Sequence, residues 1–166
     1  WNLTQGTGVK VAVIDTGVRN HPDLQSRLIA GYDFVSDASY AVDGNGRDAD
    51  PTAPGDAWES FHGTHVCGTI GAATSNESGV AGVTWATKVM PLRALGYYGG
   101  TDADIAEAVR YAAGLSNASG TVPPQRANVI NMSLGGPGFN SAFQAAVSAA
   151  RAAGVVIVAA AGNAND

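Results

Sequence analysis

Five short apolar runs, punctuated by glycine and separated by longer alanine-rich stretches, constrain this chain more than any other feature. They read as strands alternating with helices. The runs lie at residues 9–14, 28–35, 88–92, 128–132 and 155–160. Several are apolar at nearly every position, which is expected of a parallel sheet covered on both faces. Helices are expected to begin near His62, Asp102 and Asn140. In the second, Ile105, Val109 and Ala112 or Ala113 share a face. In the third, Phe143, Ala146, Val147 and Ala150 recur at i, i+3, i+4 and i+7. Asp102 and either Asn140 or Ser141 fit as N-caps, and Gly154 fits as the stop after the third helix. The repeated β-α-β order predicts an α/β fold, a largely parallel sheet with helices on both faces.

Composition narrows the function classes. At 166 residues the chain suits one domain rather than two. Its net charge of −5 would repel a phosphate backbone, so no nucleic-acid partner is expected. The longest apolar run, residues 155–161, falls far short of the roughly 20 residues of a membrane helix, so no membrane association is expected. The opening Trp1-Asn2-Leu3-Thr4-Gln5-Gly6 lacks the basic and apolar pattern of a signal peptide, which suits a cytosolic or an already processed chain. The single cysteine, Cys67, forms no internal disulfide and reads as a buried small hydrophobe. Three segments break the strand-helix alternation and read as loops: residues 37–59, 74–79 and 116–126.

Ligands of open α/β sheets bind at the carboxyl ends of strands, and three polar residues end strands here: Asp15, Ser133 and Asn163. Each alone also suits a cap or turn. Their shared edge draws attention to His62-Gly63-Thr64-His65, because a histidine can serve as a general base when a carboxylate such as Asp15 fixes its tautomer. Zinc held by His62 and His65 fits poorly, since the metalloprotease pattern spaces its histidines four apart with a glutamate between.

Four segments, taken in order, carry a resemblance. Val11-Ala12-Val13-Ile14-Asp15-Thr16-Gly17-Val18, His62-Gly63-Thr64-His65-Val66, Asn131-Met132-Ser133-Leu134-Gly135-Gly136 and Ala160-Ala161-Gly162-Asn163 resemble the ordered motifs of subtilisin-like serine proteases. The resemblance spans nearly the whole chain but only the first part of that family's catalytic domain. It implies a serine endopeptidase in which Asp15 orients His62, His62 is general base and acid, and His65 is structural. Asn163 would donate to the oxyanion, an interaction worth about 3–4 kcal/mol in subtilisin itself. Ser133, Leu134 and Gly135 would pair with one side of a protein or peptide substrate, and Gly99, Gly100 and Thr101 with the other.

The family's nucleophile sits in a Gly-Thr-Ser-Met-Ala type motif, and residues 1–166 contain none. Ser133 lacks a nucleophile elbow. The serine is therefore expected on a complementary C-terminal segment, as in a nicked enzyme, with residues 1–166 forming the N-terminal portion of one peptidase domain. The family also implies secretion and a propeptide as partner. A catalytically inactive peptide-binding module is the alternative. A nucleotide-binding domain, suggested by Gly135-Gly136-Pro137-Gly138, lacks both the three-glycine spacing and a phosphate-binding lysine.

No organic cofactor is expected, but calcium is. The acidic loop after Asp37 offers the oxygen donors calcium takes, although it lacks the flanks and the twelfth-position glutamate of an EF-hand. Asp48, Asp50 and Asp56 are the candidate ligands there. The resemblance implies a second site shared by Asp23 and Asn76.

Overall fold

The computed structural model describes residues 1–55 and 61–163. In chain order it contains β1 (Lys10–Asp15), α1 (Pro22–Gln25), β2 (Tyr32–Asp33), α2 (Ala38–Ala41), α3 (His62–Gly71), β3 (Lys88–Arg93), α4 (Asp102–Ala112), β4 (Val129–Met132), α5 (Ser141–Ala152) and β5 (Val156–Ala159). The strands form one parallel sheet in the order β2-β3-β1-β4-β5. β1 is central, with Ala12 opposite Met90 on one side and Ile130 on the other.

Alternation along β1 divides the core. Ala12 and Ile14 face α4 and α5, where Ile105, Val109, Ala146 and Ala150 pack with Met90, Leu92 and Ile130. Val11 and Val13 face the opposite side, against Leu24 of α1 and Cys67 of α3. Burying each such branched side chain contributes about 1.5–3 kcal/mol, so both faces of the central strand are fixed by packing. The small alanines of α4 and α5 let those two helices lie close together.

Several sequence expectations need correction. Of the run 28–35, only Tyr32 and Asp33 form a strand; Leu28 makes an isolated bridge to Val89. Asp102 is the first helical residue of α4 rather than its cap. Thr101 caps that helix, its hydroxyl accepting from Asp104 N–H at 3.1 Å. Asn140 caps α5, accepting from Ala142 and Phe143 N–H. Gly154, at φ +83°, ends α5 in the left-handed region where a Cβ would be strained. The loop after Asp37 holds α2, a single turn capped by the Asp37 carboxylate. β5 leaves Val156 58% and Val158 48% exposed: these two share one face of the strand, and among the described residues of β5 only Ile157, on the other face, packs against the core. No helix among the described residues is long and apolar enough to cross a membrane.

Candidate active site

The strand order reverses around β1, and Asp15 ends that strand. Such a switch point leaves a crevice at the strands' carboxyl ends, because the connecting helices leave toward opposite faces. Asp15 is fully buried. Its Oδ1 accepts from Thr16 N–H at 2.7 Å and meets His62 Nδ1 at 2.7 Å. Its Oδ2 is buried with no partner among the described residues.

His62 opens α3, so the helix sets where its ring emerges. Helix and strand approach closely here: a Cβ on Gly63 would lie 2.2 Å from the Gly17 carbonyl oxygen. Gly63 N–H donates to Thr16 Oγ1 at 2.9 Å, pinning the first turn of α3 to the end of β1. Thr16 was not singled out from the sequence, although the glycine beside His62 was its signal. The His62 side chain is 49% exposed, so its outward nitrogen is open to a reacting partner while Asp15 stays dry. His65 is exposed and lines the same cleft.

That cleft encloses about 920 Å³. His62 and Asn163 line it, as do Gly99 and Gly100 on one side and Ser133, Leu134 and Gly135 on another. Thr101 does not line it, its hydroxyl being committed to the α4 cap. Ser133 Oγ accepts from the Asn131 side chain at 3.0 Å. Gly100 packs directly over the cleft floor, where a Cβ would meet Leu95 Cδ2 at 2.6 Å and Ile105 Cδ1 at 3.4 Å. Phe61, Asp102, Ile105 and Phe143 also line the cleft, a placement that no sequence motif signals.

Cys67 lies one turn into α3 with its side chain buried. Burial, reinforced by the nearby Asp15 charge, pushes its thiol up to about 12, which keeps it protonated at neutral pH.

The candidate calcium ligands fall in two separate places. Asp23 is buried, with Oδ1 accepting from the Asn76 side-chain amide at 2.7 Å and Oδ2 from Val80 N–H at 3.1 Å. The loop wraps around this carboxylate through left-handed residues Ser75, Glu77 and Gly79. A Cβ on Gly79 would overlap Asp23 Oδ2. Turning the Asn76 amide over would set its oxygen beside the carboxylate, a donor pair that suits calcium. Asp48 and Asp50 line a second hollow with Asp43 and Arg19. Asp48 is occupied by Asn45 and by Asp50 N–H, and Asp50 Oδ1 by Thr52 N–H. Asp56 lies outside the described residues. Among the described residues, no three His, Cys, Asp or Glu side chains form a metal-holding group.

Beneath the second hollow sits a charged cluster. Arg93, at the end of β3, is buried and reaches Asp33 Oδ2 and Asp43 Oδ2, each at 2.5 Å, as well as the Ala41 carbonyl. Burial pushes the Asp33 carboxyl up to about 7, against the lowering pull of Val35 N–H and Arg93, and the Asp43 charge adds to the rise.

Comparison with known proteins places this geometry in context. Residues 6–166 match the family described as the subtilase family. The chain is 45% identical to an extracellular protease of Xanthomonas campestris pv. campestris over 98% of its own length and 30% of that protein. It is 39% identical to thermitase of Thermoactinomyces vulgaris over 100% of its length and 51% of thermitase. A solved protease from Pseudoalteromonas arctica superposes with a TM-score of 0.96 at 47% identity, covering 99% of this chain and 52% of that one. The chain thus spans about half or less of the proteins it matches.

Proposed function

The chain belongs to the subtilase family, and on that premise we propose that it carries the base, the orienting carboxylate and the oxyanion donor of a serine endopeptidase. The observation that supports this best is the 2.7 Å contact between His62 Nδ1 and a buried Asp15, in a cleft that Asn163 also lines. With Nδ1 taken by the carboxylate, Nε2 is the nitrogen left to receive a proton.

In this reading the nucleophilic serine comes from a segment outside residues 1–166, of which residues 1–166 are the N-terminal partner in one peptidase domain. The serine hydroxyl gives its proton to His62 Nε2 as its oxygen adds to the substrate carbonyl. Asn163 donates its side-chain amide to the resulting oxyanion. Collapse breaks the C–N bond, and His62 returns the proton to the leaving amine, forming an acyl-enzyme. Water then gives a proton to His62, attacks the ester and releases the acid, and the serine regains its proton. Asp15 offsets the imidazolium charge in both halves. The substrate strand is held between Gly99–Gly100 and Ser133–Gly135, edges whose glycines permit close backbone approach. The exposed valines of β5 offer the second segment an apolar place to dock. Relatives named as extracellular proteases favour a secreted protein, with a propeptide as a further partner.

The test is covalent labelling. The complete protein should react with a fluorophosphonate, and His62→Ala should abolish that reaction. Unchanged labelling of the variant removes His62 from the base role, and an unlabelled parent points to the inactive peptide-binding alternative.

Calcium belongs to the same proposal as a structural ion, held by Asp23 and Asn76 and, at the acidic loop, by Asp48 and Asp50, with Asp56 as the third candidate there. An ion bound only to the folded state adds about 2.7 kcal/mol at a hundredfold excess over its dissociation constant. Excess chelator is therefore expected to lower the melting temperature by several degrees, read by calorimetry; an unmoved transition eliminates the ion.

A further inference from the structure

Helix α3 carries the candidate base at its first position, yet it has no cap of its own: Phe61 stands at the N-cap, and its side chain makes no capping bond. The N–H groups of a first helical turn lack intrahelical acceptors, and a capping side chain ordinarily takes the second or third of them. Here the second, Gly63 N–H, is taken at 2.9 Å by Thr16 Oγ1, from 47 residues earlier in the chain. Thr16 is buried. Its own N–H donates at 2.7 Å to Asp15 Oδ1, the same oxygen that meets His62 Nδ1. One residue thus holds the carboxylate with its backbone and the start of the helix with its hydroxyl. A reciprocal contact lies next to it, where Thr64 Oγ1 accepts from Arg19 N–H at 2.8 Å. The segment between these contacts is itself anchored, because Val18 N–H donates to the Pro51 carbonyl and the Val18 carbonyl accepts from Ala53 N–H.

We propose that Thr16 is a positioning residue for the reaction at His62, acting through the start of α3, with Thr64 as its counterpart on the helix. The inference rests on the peptidase reading above. The His62–Asp15 contact joins two separate elements, α3 and β1, so its length is only as fixed as their docking. Without Thr16 Oγ1 the buried Gly63 N–H loses its acceptor, and the first turn of α3 is driven to shift toward another. His62 precedes Gly63 directly and moves with that turn. A base displaced from its working position loses rate more than substrate affinity. Threonine suits this task because its branched Cβ restricts χ1 and keeps the hydroxyl aimed.

Peptide hydrolysis by the complete protein is measured for Thr16→Val, Thr16→Ser and Thr64→Val, beside Thr84→Val as a structural control. Thr84 Oγ1 donates to the Ile70 carbonyl, at the other end of the same helix. Thr16→Val is expected to lower kcat about tenfold with KM within about twofold, and Thr16→Ser, which keeps the acceptor, to recover most of that loss. Thr64→Val should lower kcat about threefold, and Thr84→Val should lower the melting temperature and leave kcat unchanged. The second readout is the proton magnetic resonance signal of His62 Nδ1–H, deshielded by Asp15. It should broaden or vanish in Thr16→Val and persist in Thr16→Ser and Thr84→Val. An unchanged kcat in Thr16→Val overturns the role, as does a loss that Thr16→Ser or Thr84→Val shares in full. Should Thr16→Val fail to fold, Thr64→Val decides, and an unchanged kcat there overturns the role. A parent that cleaves no peptide overturns the peptidase reading. The Nδ1–H signal then decides the positioning by itself, and its persistence in Thr16→Val overturns it.

Discussion

Asp15→Asn is expected to lower kcat of the complete protein by about 10⁴-fold while KM changes little. One carboxylate oxygen does two jobs here, accepting from Thr16 N–H and meeting His62 Nδ1. An amide placed with its oxygen there would still hold the ring but would carry no charge to offset the imidazolium. It would also put an NH₂ group at the buried position where Asp15 Oδ2 finds no hydrogen-bonding partner among the described residues. The opposite orientation would turn a donor toward Nδ1, selecting the tautomer whose outer nitrogen already holds its proton. Either arrangement removes stabilisation felt mainly in the transition state, so the loss appears in kcat. Steady-state kinetics decide the matter, and a loss smaller than about tenfold would show that Asp15 does not act through His62.

Arg93→Met is expected to cost about 3–5 kcal/mol of stability, which for a domain of this size is a fall in melting temperature of roughly 10 °C or more. Methionine fills much of the same volume but leaves Asp33 and Asp43 without their cation. The cost should depend on pH. The Asp33 carboxyl rises from 3.8 to about 7 on folding, so the folded chain holds its proton more tightly than the unfolded chain. The stability this contributes is fully present below about pH 4 and is lost as pH rises toward 7. Removing Arg93 takes away a group that favours the ionised form, so the variant should suffer more at pH 8 than at pH 5. Thermal melts of both proteins at those two pH values test this; a gap that narrows at the higher pH contradicts it.

The sequence made parts of this plain and hid others for physical reasons. Val11 to Ile14 is legible because a strand buried on both faces must be apolar throughout, and Asp15 is then conspicuous as the first charge after it. Asn140 and Gly154 are legible because caps and left-handed stops have few chemical solutions. Helix α2 was hidden, since a four-residue turn shows no periodicity. Thr101 and its acidic neighbour Asp102 are equivalent as caps in sequence because both residue types cap helices, and only the backbone decides which one stands outside the first turn. The Arg93 cluster left a faint trace: Asp33 stands between Tyr32 and Phe34, and Arg93 follows Leu92, each a charge in an apolar run. Nothing local could show that β3 and β2 lie side by side and bring those charges together. The cleft is similar. Its glycines were readable, whereas the joining of Asp102, Ile105, Leu134 and Phe143 depends on how α4 and α5 pack.

The position of β1 also governs how this chain can reach its fold. The first of the described strands is the middle of the sheet, yet its neighbours, β3 and β4, come much later in the chain. Lys10 N–H closes onto the Asn128 side chain across a sequence separation of 118. Until β4 has been synthesised, Val11, Val13 and Ile14 have at most one flank to pair with. Such distant closures spend chain entropy before they return any contact energy, and parallel sheets offer no hairpin to begin from. Assembly should therefore be late and slow, with a sticky central strand waiting for its partners on the ribosome, and recovery from denaturant should depend strongly on dilution and temperature.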